Sequence, residues 1–475
     1  MSEKLVSLGK AEKNHSAFMK EVEHQEMLDL EAQYCSYGDT VHYVDPPKRF
    51  AASAGGFLYD DEGKSYFDLQ MQYSAANLGY KNSRLNRVLK DQLQLLPQLD
   101  GKYLDEQRCL LGEKLSLLTE QRFGMKGRVH FSVGGAGAIE DSLRLIRKAT
   151  GKNFHFAFMG GYHGRTLGAS AITSSYRYRR RYGHFGDRAH FIPYPYCFRC
   201  FYGLKREDCG LYCLKQFEKL FDTEYYSFWD AKAGECEFGA LYMEPVQGTG
   251  GYVIPPLDYF PGLQAFLSAR EILVVDDEIQ MGFFRTGKLW SIEHFGITPD
   301  VIVFGKALTN GLNPLSGFWV REDLIDPSDW PPDSTSCANP QGTAVALEVL
   351  RIFEDGDFAS EVQQKGVYFL SCLRRLKEKY PQIIGDVDGL GLALRIEICR
   401  GKEKEPDPEL TDRIFHEGLK GNLAAEGSLY GLVLDVGGYY KNVFTLAPYL
   451  EITYREIDLG IELLDQLFGR FVHGA

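Results

Sequence analysis

From about Lys90 to Ile325 the chain alternates short runs of β-branched and aromatic residues with stretches whose apolar residues recur at helical spacing. That alternation restricts the fold more than any other feature. The runs "RVHFSV" (Arg128–Val133), "FHFAFM" (Phe154–Met159), "FGALYMEP" from Phe238, "ILVVDD" from Ile272 and "DVIVFGKAL" (Asp300–Leu308) have the length and composition of strands. Between them, Ile139–Thr150 carries Ile139, Leu143 and Ile146 on one face, and Asp258–Arg270 carries Leu263, Phe266 and Leu267. Successive parallel strands need a crossover, usually a helix, so the pattern specifies an α/β fold: a large domain with a mainly parallel sheet flanked by helices.

The flanking segments differ. The first 45 residues are polar with a helical pattern and end in the breaker "VDPPKR" (Val44–Arg49). "GGFLYDDEGKSYFDL" follows as strand, turn and strand, with "DDEGK" as the turn. Beyond Pro331 the helices lengthen, as in "TAVALEVLRIFE" and "EVQQKGVYFLSCLRRLKEKY", and the strands shorten. The expected division is an N-terminal helical arm (1–45), the first part of a small domain (46–89), a large domain (90–330) and the rest of the small domain (331–475). The smaller α+β domain is then built from both chain ends.

The formal charge of −12, from 53 basic and 65 acidic residues, argues against a nucleic-acid surface. The locally basic "YRYRRRYG" (Tyr176–Gly183) fits a solvated or interface face better. No run approaches the ~18 apolar residues of a membrane span. The N-terminus lacks an export pattern, so the expected compartment is the cytoplasm and the ten cysteines are expected as reduced thiols.

In open α/β sheets, ligands collect at the carboxyl ends of the strands. Here five successive strand ends run into "GGAGAIED", "GGYHGRT", "EPVQGTGG", "DDEIQ" and "GKALTNG". The glycine turn Gly134–Gly137 opens a helix and offers free N–H groups to an anion. Alone it is a weak signal, since Glu140 stands where a dinucleotide motif needs a third glycine and many turns hold glycine for steric reasons. Lys306, flanked by Gly305 and Ala307, is either a snorkelling surface residue or, if desolvated, an amine nucleophile able to form a Schiff base. In "ILVVDDEIQMG" three acids follow a buried-strand run, and at least one of them needs a fixed positive partner. An anion seat, a nucleophilic lysine and a buried carboxylate are together what pyridoxal 5'-phosphate requires, with Asp277 against its ring nitrogen.

"VVDDEIQMGFFRTGKLW…HFGITPDVIVFGKALTNGL", "GGYHGRTLGAS", "EPVQGTGGY" and "STSCANPQGTA" closely resemble the class III (ω-amino acid) aminotransferases, of the fold-type I pyridoxal-phosphate superfamily. The resemblance runs from about Gly55 to Leu467. It implies that Lys306 is the Schiff-base lysine and proton carrier and Asp277 the ring-nitrogen acid. It also implies that Gln280 bonds the ring hydroxyl, that Ile279 and Tyr162 pack on opposite ring faces, and that backbone groups of Gly135 and Ala136 hold the phosphate. Thr335 would complete that site from the neighbouring subunit, making the active unit a homodimer. Glu244 has a supporting role, and Arg165 either meets a substrate carboxylate or forms a structural salt bridge. The implied partners are an amine donor and a carbonyl acceptor. An epimerase, racemase or decarboxylase on the same scaffold is the alternative.

Two departures bear on substrate. Many members that use α-amino acids carry a glutamate where Thr249 stands, paired with an arginine whose place here is Thr445 in "NVFTLAPYL". With both absent, the expected donor is a terminal amine, an ω-amino acid or an amino group on a larger metabolite. A third oddity is "CFRCFYGLKREDCGLYC": Cys197, Cys200, Cys209 and Cys213 either bind a metal or pack as small hydrophobes.

Overall fold

The computed structural model describes residues 23–38, 41–44, 47–179, 188–223, 225, 228–326 and 335–472. Much of the basic run, the 330/331 boundary and the first 22 residues of the expected arm lie outside the described residues. The chain divides into two compact units, Met1–Ala51 and Ala52–Ala475. In the first, His24–Tyr34 forms a helix, as the polar pattern predicts.

The second unit is organised around a seven-stranded sheet. Its strands are β1 (Gly127–Ser132), β2 (Phe154–Phe158), β3 (Arg188–Ile192), β4 (Phe238–Met243), β5 (Leu273–Asp277), β6 (Val301–Phe304) and β7 (Ser316–Arg321), in the spatial order β1-β7-β6-β5-β4-β2-β3. The pairings from β6 through β5, β4 and β2 to β3 are all parallel, while β7 runs antiparallel to both of its neighbours. Every residue of β4, β5 and β6 is buried, which explains their near-continuous apolar sequences.

Helix α1 (Gly135–Thr150) starts directly after β1 and buries Ile139, Leu143 and Ile146, the three residues its spacing singles out. It ends at Gly151, which takes the left-handed conformation (φ 70°) that stops a helix. A second helix, Tyr259–Ser268, buries Leu263 and Leu267, while Phe266 stays partly exposed.

The predicted strand–turn–strand forms an antiparallel pair, Phe57–Asp60 with Ser65–Asp68. The Asp60 carboxylate closes its turn by accepting from the Lys64 amide at 2.8 Å. Ser428–Val433 then joins Ser65–Asp68 in parallel, so residues from both ends of this unit share one sheet. A further sheet contains β8 (Ile384–Leu390), β9 (Ala393–Arg400), β10 (Asp435–Gly437) and β11 (Val443–Leu446), ordered β8-β9-β11-β10, with the short strand Glu405–Pro406 also paired to β9. No helix among the described residues is long and apolar enough to cross a membrane.

Candidate active site

The three acids at the end of β5, Asp276 and Asp277 within it and Glu278 just past it, separate by strand alternation. Asp276, Asp277 and Glu278 are all buried, at 0%, 4% and 0% exposure, so each needs its own account. Successive side chains leave a strand on opposite faces, which puts Asp277 on one side and the other two together on the far side. Glu278 accepts from Ser291 Oγ and from the Ile292 amide, both at 2.8 Å. Burial pushes its carboxyl up to about 7, and Asp276 beside it is pushed well above the carboxylate range by burial and by Glu278.

Asp277 faces the crevice. Its Oδ2 lies 2.7 Å from His163 Nδ1, and its Oδ1 accepts from the Ile279 amide at 3.1 Å. His163 belongs to the "GGYHGRT" turn after β2 and was not singled out from sequence, although it is an ionisable group at one of the five strand ends. Its backbone is fixed by a 2.9 Å bond from its amide to Thr173 Oγ1. Burial opposes charge on this imidazole, but the Asp277 hydrogen bond and the Asp277 and Glu244 charges outweigh it and raise the pKa. Within the chain, the positive partner that the buried Asp277 demands is His163.

Glu244, just past β4, joins two loops: it accepts from the Tyr162 amide and from the Gly248 amide, each at 2.8 Å. Burial, then the Asp277 charge, push its carboxyl up to about 7 against the pull of His163 and those amides. Gln280 joins two more elements, accepting from Lys306 Nζ at 3.2 Å and donating to the Tyr252 hydroxyl at 3.0 Å. A Cβ on Gly248 would fall 2.4 Å from Gln280 Oε1, so a side chain there would displace the Gln280 amide.

Lys306 follows β6 with φ +41°, a left-handed conformation costly for a side chain of this kind. The side chain keeps some exposure while its amine is enclosed, and burial lowers its pKa against the fields of Asp277, Glu244 and Asp435. Ile279 bridges to the glycine turn, since a Cβ on Gly135 would lie 3.0 Å from its Cδ1 and one on Gly305 3.7 Å from its Cγ2. Helix α1 starts at that turn without a side-chain cap, so its first amides have no side-chain acceptor. Gly164 packs on Ala136, where a Cβ would approach to 2.6 Å of the alanine Cβ, bringing the "GGYHGRT" and "GGAGA" turns together.

The remaining candidates are more peripheral. Tyr162 is partly buried, with its ring edge-on to Tyr178 at 5.1 Å, and Arg165 is exposed next to it. Thr335 is exposed ahead of helix Pro340–Asp355. Cys197, Cys200, Cys209 and Cys213 line one apolar cavity, and burial lifts the Cys197 thiol to about 11. Among the described residues no three His, Cys, Asp or Glu side chains are arranged to hold a metal ion.

Residues 41–468 match the profile of the family described as aminotransferase class-III. The chain belongs to the class III aminotransferases. Among its relatives are a leucine/methionine racemase of Thermococcus litoralis, 31% identical over 88% of this chain and 92% of that one, and a 4-aminobutyrate aminotransferase of Mycobacterium leprae, 28% identical over 90% and 92%. An amine transaminase from an uncultivated Pseudomonas species, solved in its PLP-bound form, superposes with a TM-score of 0.79 at 25% identity, over 89% of this chain and 95% of that one. This class III enzyme therefore has the fold-type I architecture that the resemblance implies, and its cofactor is pyridoxal 5'-phosphate. It is an aminotransferase, acting on an amine donor and a carbonyl acceptor.

Proposed function

We propose that Lys306 and Asp277 carry the chemistry of this aminotransferase and that the donor is a terminal amine, an ω-amino acid or an amino-bearing metabolite. The observation that carries the assignment is the convergence of a desolvated amine, a buried carboxylate and an uncapped helix start on one crevice. These features fit pyridoxal 5'-phosphate, which needs an attachment amine, a ring-nitrogen acid and an anion seat. When bound, that group supplies an aldehyde that condenses with amines and a ring that accepts electrons from the substrate carbon.

The chain's own residues do the rest. Lys306 Nζ is the attachment point and then moves the proton from the amine-bearing carbon of the substrate. Gln280, fixed by Tyr252, orients that amine and would bond the ring hydroxyl. Asp277, held by His163, would face the ring nitrogen and favour its protonated form. The first amides of α1, at Gly135 and Ala136, would receive the phosphate. Ile279 and Tyr162 would enclose the ring, with Glu244 holding the Tyr162 loop in place. Arg165, exposed and hydrogen-bonded to the Tyr162 side chain, would meet an anionic substrate end.

The active unit is proposed as a homodimer in the cytoplasm, with Thr335 of the partner subunit completing the phosphate end. The division at residues 45, 89 and 330 is proposed as the domain plan.

The test is Lys306→Ala. The variant should fold but lose turnover and the visible absorption of the lysine-bound cofactor, and borohydride should no longer fix the cofactor to the chain. Retained colour fixed to another lysine refutes the assignment. Racemisation is the second reading, favoured by the 31% identity to a racemase. Without an acceptor, an aminotransferase yields one carbonyl product per site and stops, whereas a racemase keeps inverting an enantiopure amino acid.

A further inference from the structure

Asp435 on β10 pairs across the ladder with Thr445 on β11, the position at which many relatives that use α-amino acids are expected to carry a carboxylate-binding arginine. The position is more than vacated, because its polarity is reversed. Thr445 Oγ1 donates a 2.6 Å hydrogen bond to Asp435 Oδ2, and the Gln70 side chain donates another to the same carboxylate. Just beyond β10, the Gly438 amide donates to the Thr249 carbonyl at 3.0 Å. The strand carrying Asp435 is thereby tied to the loop after β4, which leads to Tyr252 and its bond with Gln280.

Among the described residues three carboxylates act on Lys306, those of Asp277, Glu244 and Asp435, and no arginine or lysine does. Asp277 has His163 as its partner and Glu244 has two amides. Asp435 has only neutral hydrogen-bond donors in contact, with Lys441 acting on it through its field, and among the described residues no salt bridge reaches it. A largely enclosed carboxylate without a contacting cation is costly, and a cationic ligand group removes that cost. A carboxylate at the same place would face like charge and be rejected.

We propose that Asp435 is a specificity-determining residue that receives the far end of the donor, so the preferred donor is an aliphatic amine bearing a second ammonium group. The proposal rests on the aminotransferase reading and deepens it, because it states what the carboxylate whose field reaches Lys306 selects.

The experiment compares 1,4-diaminobutane, pentylamine and 4-aminobutanoate, donors of similar length, in half-reactions of the holoenzyme read by carbonyl product. The expected order of kcat/KM is diamine, alkylamine, amino acid, with roughly a tenfold or greater gap between the first two, the scale of one charged hydrogen bond. Asp435→Asn should bring the diamine-to-alkylamine ratio close to one, and Asp435→Ser serves if the asparagine variant does not fold. A second readout needs no turnover: in cofactor-loaded Lys306→Ala protein, calorimetric binding of 1,4-diaminobutane should weaken about tenfold when Asp435→Asn is added. An unchanged ratio together with an unchanged Kd overturns the role of Asp435. If none of the three donors reacts while an amino acid is racemised, the aminotransferase reading fails, and the calorimetric comparison decides Asp435 alone.

Discussion

Replacing His163 with leucine removes the cation that, among the described residues, hydrogen-bonds Asp277, and the consequence depends on whether the cofactor is present. The pair is dry: His163 is 2% exposed and Asp277 4%, with 2.7 Å between Nδ1 and Oδ2. Breaking a buried pair by deleting one partner costs about 3–5 kcal/mol, since the remaining charge is left desolvated. In the apoprotein His163→Leu should approach that loss, with only the Ile279 amide still bonded to Asp277. In the holoenzyme the loss should be smaller, because a protonated ring nitrogen would face the same carboxylate. The pH dependence follows from the raised pKa of His163. A folded pKa above the ordinary value of about 6.5 means that the contribution is complete below 6.5 and fades as pH rises through the folded value. Urea unfolding of apo wild type and apo His163→Leu, at pH 6 and at pH 9, measures both effects. The difference between them should be largest at pH 6. His163→Asn, which keeps a donor but no charge, should fall between the two. An apo difference below about 0.5 kcal/mol, or one that grows toward pH 9, refutes the reasoning.

Asp277→Asn should retain cofactor but lower turnover on the order of a hundredfold or more, read by steady-state kinetics, because the ring nitrogen loses its counter-charge. Glu278 carries a folded pKa of about 7. The stability it contributes is therefore full below about 4.5 and declines as pH rises through 7, at no more than ~1.4 kcal/mol per pH unit. Glu278→Gln should flatten that slope in urea titrations across pH 5–8. The left-handed φ of Lys306 predicts that apo Lys306→Gly is more stable than apo Lys306→Ala by about 1 kcal/mol, the reverse of the usual order, as thermal unfolding can show.

The sheet was legible because its signals are local. Each strand is a short apolar run and each helix a 3.6-residue repeat, and both survive in β1, α1, β4, β5 and β6. Placing the site at the strand ends needed only the rule for open parallel sheets. The partner of Asp277 was not legible, since His163 lies 114 positions away and meets it only after two loops pack. Asp435 escaped for a different reason. Thr445 was noted for the arginine it lacks, and nothing in the local sequence says that its hydroxyl instead supports an acid on the neighbouring strand. The role proposed for Thr335 would involve a second subunit, so no property of a single chain bears on it.

The charges around Lys306 fit one requirement of the role proposed for it. An amine that takes a proton from carbon and gives it back must be able to hold and lose that proton near the working pH. Burial alone would strip the proton from an enclosed ammonium. Asp277, Glu244 and Asp435 pull the other way, and the balance leaves a pKa that is lowered but opposed. Three ionised carboxylates in one crevice would repel each other, so their charges have to be managed individually. Asp277 is paired with His163, and Glu244 is lifted to about 7. That leaves Asp435 as the acid that only neutral donors contact among the described residues, with Lys441 acting on it through its field. A donor bringing its own ammonium would complete the balance when it binds, and the same contact that admits it would set it opposite Lys306.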